Sequence, residues 1–331
     1  MVPAGGVAIS AERRNRLLAI DRVAIGYLAV SGALAVAGGL KGLAIAAGHA
    51  VAIAAIYGLA RRPMPAGHLA VFLRLMYPMI AIPLLYHEVA LLSRFFHPAY
   101  FDGVVQGWEI AIFGGQVSQE ASRWLPAFWL SEFLNLGYLA YYLIIPGLAI
   151  ASQRFGGGAG LHRFAVSVAL GFFVCYVWFI LFPVVGPRYA FGPLEGVLSD
   201  GRFNRIVRAI LEGGSSKGTA FPSSHIAATC AAWIAAGRED RRVLWLMAAP
   251  VGALVLGTVY GGYHYAVDAA AGLAVTAAVM AAAPRLAAAA SPASASPDLG
   301  AGSGNLPLPS GVESADDRKD SGGRAGTRRA R

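Results

Sequence analysis

Residues 164–185 read FAVSVALGFFVCYVWFILFPVV, an uncharged run of 22 residues, and that run decides the fold class. About 20 apolar residues in a helix cross the roughly 30 Å hydrocarbon core of a bilayer. Working outward, comparable apolar stretches lie at about 23–40, 42–60, 75–93, 133–151, 222–237, 243–263 and 265–284, which with 164–185 makes eight expected helices. The whole chain agrees, being 331 residues long, 56% hydrophobic and 14% charged with a mean hydropathy of +0.56. That is too apolar for an ordinary soluble protein. The expectation is an all-α, polytopic membrane helical bundle in which six helices from the third onward form the core and two precede it. Lys41 and Gly42 alone separate the first two stretches, both rich in Gly and Ala, so a tight hairpin or a partly re-entrant pair is expected. Pro78, Pro83 and Pro146 predict kinks inside the third and fourth helices. Three regions follow: 1–69 as a basic segment with a helical hairpin, 70–285 as the membrane core, and 286–331 as a tail too polar and small-residue-rich to bury a core.

The formal charge of +9 sits in short loops and the tail. This suits topology and anionic headgroups; no nucleic-acid module is visible. Arg13, Arg14, Arg16 and Arg22, then Arg61 and Arg62, Arg154 and Arg163, and Arg238, Arg241 and Arg242 belong on the cytoplasmic side by the positive-inside rule. With eight spans both termini are then cytoplasmic, and His225 and His264 emerge on the outer face of a cell membrane. The 186–220 loop is basic on the other side, as an anion site would require. The N-terminal arginines are read as flanking a retained first helix rather than a signal peptide. Residues 94–132 carry Asp102, Glu109, Glu120, Arg123 and Glu132 among aromatics, and are expected to form interfacial helices that cover the site. Cys175 and Cys230 lie in apolar segments and are expected to pack there.

Two blocks carry chemistry: Phe221-Pro222-Ser223-Ser224-His225, and His264-Tyr265-Ala266-Val267-Asp268. His264 and Asp268 are one helical turn apart, so the carboxylate faces the imidazole and can fix its tautomer. Pro222 suits a first helical turn and Ser223 or Ser224 can cap it, which leaves backbone N–H groups beside His225 for an anion. A lone histidine at a helix end is usually structural; the joint occurrence of His225, His264, Asp268 and Arg188 is what points to catalysis. A zinc site from the two histidines and Asp268 is open by ligand type, but no fourth ligand has a recognisable spacing. His87-Glu88 is an ionisable pair inside a span, suited to headgroup binding or to an internal hydrogen bond. Arg202, Arg205 and Arg208 recur every third residue, as a lipid-gripping or a solvated face. His49, His68, His97 and His162 show no convergent partners.

In order along the chain, Gly186-Pro187-Arg188-Tyr189, the 222–225 block and Tyr260 to Asp268 resemble the three signature blocks of the type 2 phosphatidic acid phosphatase superfamily, over about 70–285. Two cations of the usual pattern are replaced, by Leu181 and Thr258. The pattern Gly-Pro-Arg-Tyr, then Phe-Pro-Ser-x-His, then Thr-x-Tyr with His-Tyr-x-x-Asp is instead similar to the inositol phosphorylceramide synthase (aureobasidin-resistance) branch. The resemblance implies that His264 is a nucleophile forming a phosphohistidine, oriented by Asp268, and that His225 is the acid and then the base. It implies that Arg188 holds the phosphoryl oxygens with help from the amides around Ser223 and Ser224. Lys217 is a candidate replacement for the missing cations. No cofactor and no metal are implied. The implied partners are the bilayer, a phospholipid or lipid phosphate, and an alcohol acceptor such as inositol or a second lipid. A lipid phosphatase acting on phosphatidic acid or a polyprenyl diphosphate would use the same first half-reaction. A non-enzymatic lipid transporter or binding protein is the rival from another class.

Overall fold

The computed structural model describes residues 17–192 and 199–288. The basic N-terminal segment with Arg13, Arg14 and Arg16, and most of the expected tail, lie outside the described residues. The chain runs α1 (Ala19–Ala35), a 3-10 turn at Val36–Gly38, α2 (Gly39–Ala60), α3 (His68–Phe96), α4 (Asp102–Phe113), α5 (Val117–Trp124) and α6 (Phe128–Leu139). It continues with α7 (Tyr141–Leu181), the short α8 (Pro187–Ala190), α9 (Arg202–Gly214), α10 (Ser224–Glu239), α11 (Arg241–Tyr260) and α12 (Ala266–Ala288). No strand occurs among the described residues; one parallel bridge joins Val184 to Thr219. The architecture is an all-α polytopic bundle.

Among the described residues, five helical stretches, rather than the eight expected, are long and apolar enough to cross a membrane: Ala19–Ala60, His68–Phe96, Tyr141–Leu181, Arg241–Tyr260 and Ala266–Ala287. The difference has local causes. The first stretch holds two expected spans, joined through only a 3-10 turn and folded back on each other, so that Gly32 of α1 lies against the ring of His49 in α2. The third begins at Tyr141, inside the expected 133–151 span, and runs into the expected 164–185 span as far as Leu181. Its break falls at Gly157, in the gap expected between the two spans, and its φ of 59° and ψ of −157° are ones only glycine adopts freely; Pro146 lies inside the first limb. The chain reverses there: Tyr138 and Tyr141 contact His225, Gln153 donates to the His68 carbonyl, and Phe182 returns to stack against Phe101. The expected 222–237 span is α10, 16 residues long, about 24 Å at 1.5 Å per residue.

The limb of α7 beyond Gly157 is the axis of the bundle. Phe164, Ala165, Val166, Val168, Ala169, Cys175, Phe179 and Ile180 are all fully buried in one cluster with α1, α3, α10 and α12. Small residues allow the close approach: Gly171 meets the Ala227–Ala228 backbone of α10. Cys175 and Cys230 are free and buried in this core.

Away from the site the helix ends are basic. Arg163 makes a two-pronged pair with Glu239 at 3.0 and 2.7 Å. Deeper in, Arg74 of α3 grips Asp21 of α1 through both guanidinium nitrogens, at 2.9 and 2.7 Å. Tyr77 and the Leu18 amide donate to the same carboxylate at 3.1 and 3.0 Å. Asp21 is fully buried and Arg74 nearly so. Such a pair is weak as net stabilisation, but removing one member strands a buried charge at about 3–5 kcal/mol. Arg74→Ala should therefore destabilise the detergent-solubilised protein by about 3–5 kcal/mol in reversible unfolding, and the Arg74→Met/Asp21→Leu pair should recover most of that loss.

Candidate active site

Three chain reversals at one end of the bundle bring the sequence blocks together. Ser223 adopts an extended conformation and caps α10, its hydroxyl accepting from the Ile226 amide at 3.4 Å. Pro222 sits before the cap, after a cis peptide bond, and not in the first helical turn as the sequence reading had it. The Ser223 amide donates to the Asp268 carbonyl at 3.0 Å, tying the second block to the third. No protein acceptor among the described residues takes the Ser224 or His225 amide, so both remain for an anion.

The third block is a tight turn after α11, with Gly262 at φ 66°. The carbonyl of Thr258 accepts both the Tyr263 amide (3.0 Å) and the His264 amide (2.9 Å). Thr258 thus fixes the histidine loop through its backbone, while its hydroxyl is turned to the Val255 carbonyl. His264 is buried, with Nδ1 at 3.4 Å from Asp268 Oδ2, a long contact. The better bond of Asp268 is to the Tyr265 amide at 2.8 Å. Asp268 stands at the third residue of α12 and accepts from the residue before the helix, half of a capping box. One carboxylate therefore caps the helix and faces the imidazole. Its other oxygen, Oδ1, is buried without a hydrogen-bond partner.

The rings of His225 and His264 meet edge to face with centroids 5.7 Å apart. His225 lies in an aromatic cage, its centroid 5.3 Å from Tyr138 and 4.6 Å from Tyr141, and the Tyr138 hydroxyl reaches Nε2 at 3.4 Å. Burial pushes the pKa of His264 down to about 4, partly opposed by a hydrogen bond to the Ala220 backbone. A neutral imidazole with its proton on the Nδ1 side facing Asp268 keeps a lone pair on Nε2.

Arg188 stands on α8 at the same end, half-buried. Its guanidinium bonds the Ser215 hydroxyl at 3.4 Å and lies over the Tyr189 ring at 5.0 Å, and its charge acts on Tyr263, the residue before His264. Lys217 is exposed, yet its ammonium lies 5.4 Å from the same Tyr189 ring. Two cations thus flank one aromatic ring. Arg202 and Arg205 face outward, whereas Arg208 is half-buried and acts electrostatically on Tyr263. Leu181 is exposed at the end of α7.

The structure separates the expected His87-Glu88 pair. His87 meets the Ser216 hydroxyl at 3.3 Å, next to Lys217, while Glu88 points the other way and pairs with His49 at 3.0 Å. His49 and His162, expected to have no convergent partners, are held structurally: His49 also reaches Ser31 and the Leu28 carbonyl, and His162 accepts from the Ile20 amide at 3.4 Å. These partners lie on other helices, so local sequence did not show them. Among the described residues no three His, Cys, Asp or Glu side chains group as metal ligands.

The sequence reading missed the inner face of α4. Asp102, Gln106 and Glu109, spaced as one helical face, all turn to the site loops. Asp102 accepts the Val185 and Gly186 amides and the Tyr265 hydroxyl. Gln106 donates to that hydroxyl at 2.9 Å, and the buried Glu109 accepts from the Ala266 amide at 3.1 Å, the first residue of α12. The outer face is apolar and exposed at Trp108, Ile110, Ile112 and Phe113. Helix α4 is thus inverted, with its polar side inward. Three polar side chains at i, i+4 and i+7 in an otherwise apolar helix are the signal that could have found it. Similarly, Glu132 of α6 accepts from the Phe203 amide at 3.1 Å and caps α9, and Asn135 accepts from the Tyr263 hydroxyl at 2.6 Å.

Compared with known proteins, the chain matches a family model described as the PAP2 superfamily over residues 112–282, more than half its length. No curated protein and no solved structure matches it.

The lowered pKa of His264 has a signed consequence. In the unfolded chain a histidine takes its proton near 6.5; in the fold His264 resists protonation until about 4. Between those values the unfolded state binds more protons, so stability falls as pH drops through the window. His264→Gln should remove roughly 3 kcal/mol of the stability lost between pH 6.5 and 4, read as the difference between wild-type and variant unfolding curves.

Proposed function

The chain belongs to the PAP2 superfamily, and on that premise we propose that it moves a phosphoryl or phospho-headgroup unit from a lipid through a phosphohistidine on His264. Membership supports a phosphatase- or phosphotransferase-type enzyme of lipid phosphates. The observation that carries the finer reading is the edge-to-face approach of His225 to His264, with Asp268 behind the second ring. A nucleophile and an acid on two sides of one small space are what displacement at phosphorus needs.

In this mechanism the Nε2 lone pair of His264 attacks phosphorus and the bond to the lipid leaving oxygen breaks. Protonated His225 gives that oxygen its proton. Neutral His225 then takes a proton from an incoming water or alcohol, whose oxygen attacks phosphorus as the P–N bond breaks and His264 is regenerated. The half-buried Arg188 and the unpartnered amides of Ser224 and His225 hold the phosphoryl oxygens, with the Ser223 cap fixing the helix end. The steps require no metal. Arg22, Arg74, Arg163, Arg238, Arg241 and Arg242 gather at the end opposite the site, which supports an outward-facing site with both termini cytoplasmic.

The missing cations at Leu181 and Thr258 favour a monoanionic diester donor, as in the inositolphosphotransferase branch, because a doubly charged monoester loses more from each absent charge. A second reading, a monoester or diphosphate phosphatase, is favoured by one observation: Lys217 stands with Arg188 on the Tyr189 ring and restores a cation. The two divide on one preparation in vesicles. Faster consumption of phosphatidylinositol than of phosphatidic acid, with flux raised by an added alcohol, supports the transferase; faster phosphate release from phosphatidic acid and no alcohol product supports the phosphatase. A lipid carrier would give neither.

His264→Ala should abolish both turnover and covalent labelling by radiolabelled phospholipid. Labelling equal to wild type would overturn the nucleophile. His225→Ala should slow lipid turnover by about 10²–10⁴-fold, yet spare the first-turnover burst of p-nitrophenol from a p-nitrophenyl ester, whose leaving group needs no acid.

A further inference from the structure

We propose that Asp102 is a positioning residue that sets the distance between the phosphate-holding arginine and the nucleophilic histidine. The inference rests on the phosphohistidine reading. Asp102 begins α4, ten residues before the stretch matched by the family model. Both its oxygens are used, and on two different blocks. Oδ2 accepts the Val185 amide at 2.9 Å, and Oδ1 accepts the Gly186 amide at 3.0 Å and the Tyr265 hydroxyl at 3.0 Å. Gly186 caps the turn that carries Arg188, and Tyr265 follows His264 in the chain. A single carboxylate thus bolts the arginine turn to the histidine turn.

The surroundings make this bolt stiff. Gly186 has φ 91°, and a side chain added there would press on the Tyr263 carbonyl at 3.3 Å and on Ala220. Val105 from α4, Val184, Ala220, Tyr265 and Val267 form a separate buried cluster directly beneath. Phe182 stacks between Phe101 and Trp108 at 4.4 and 5.7 Å, closing the side. Gln106 secures the Tyr265 hydroxyl from the next turn of α4. No cation pairs with Asp102 among the described residues, so its charge is balanced by oriented N–H and O–H dipoles alone. Asparagine offers one acceptor where three donors converge, and points a donor at a donor.

The two ends of the bolt have separable readouts. The amides of Val185 and Gly186 place Arg188, and so govern the grip on a phosphoryl group. The Tyr265 hydroxyl places the backbone beside His264, and so governs attack. Orthovanadate, which imitates phosphorus in transfer, is the binding probe, and phosphohistidine formation from radiolabelled phospholipid is the kinetic probe, both with the purified full chain in vesicles. Asp102→Asn should weaken vanadate inhibition at least about tenfold and slow labelling by a similar factor or more. Tyr265→Phe should slow labelling about tenfold with vanadate affinity within about threefold of wild type. Asp102→Glu, which keeps both oxygens, should recover part of the vanadate affinity.

Wild-type protein that neither turns over nor labels would sink the phosphohistidine reading itself. With active wild-type protein, unchanged vanadate inhibition and labelling in folded Asp102→Asn would overturn the positioning role, leaving Asp102 a structural cap. Should Asp102→Asn fail to fold, Tyr265→Phe decides: labelling at the wild-type rate overturns the proposal.

Discussion

Backbone amides withdrawn from water at the turns between apolar helices need acceptors, and the site end of this bundle is organised around that need. An unpaired amide in a low-dielectric surrounding costs about as much as a lost hydrogen bond, and in a bilayer there is no water to relieve it. Each turn that carries chemistry is therefore closed by a buried or half-buried acceptor: Asp268 for Tyr265, Glu109 for Ala266, Asp102 for Val185 and Gly186, and the Thr258 carbonyl for Tyr263 and His264. Where the acceptors stop, at Ser224 and His225, an anion has room to bind.

The same requirement gives Asp268 two tasks. As a capping-box residue it is held at 2.8 Å by the Tyr265 amide, and from that fixed place it looks onto the His264 ring at 3.4 Å. A carboxylate already occupied by a helix cap is placed before any substrate arrives, which is the preorganisation that charge development in transfer demands.

Helix α3 shows how one helix serves several ends. Tyr86 bonds Thr219 at 2.7 Å and His87 meets Ser216, so two successive residues hold the loop that carries Lys217. Glu88 turns to His49 in the hairpin of α1 and α2. Three neighbours at about 100° steps on a helix face three directions. The N-terminal hairpin, which precedes the matched family region, is thereby joined through α3 to the loop beside the site.

The sequence by itself determined the all-α membrane class and named the residues from which a site could be built. An uncharged run such as 164–185 has one stable place, and short spacings brought Asp268 near His264 and one of Ser223 and Ser224 to a helix cap; the structure puts Ser223 there, and His264 meets Asp268 from the turn before α12 rather than along a helical face. Span limits were less legible. Pro146, expected to kink its helix, stays inside α7, while the reversal falls at Gly157 in the gap expected between 133–151 and 164–185, since a bundle can absorb a missing amide within a helix but a reversal needs positive φ. Only the tertiary structure decided which distant groups meet. Asp102 finds Tyr265 across 163 positions, Glu109 finds Ala266 across 157, and His49 finds Glu88 across 39. No periodicity records such pairings: they arise when helices that share no local pattern pack together, and a polar group left between them must satisfy whichever partner the packing supplies.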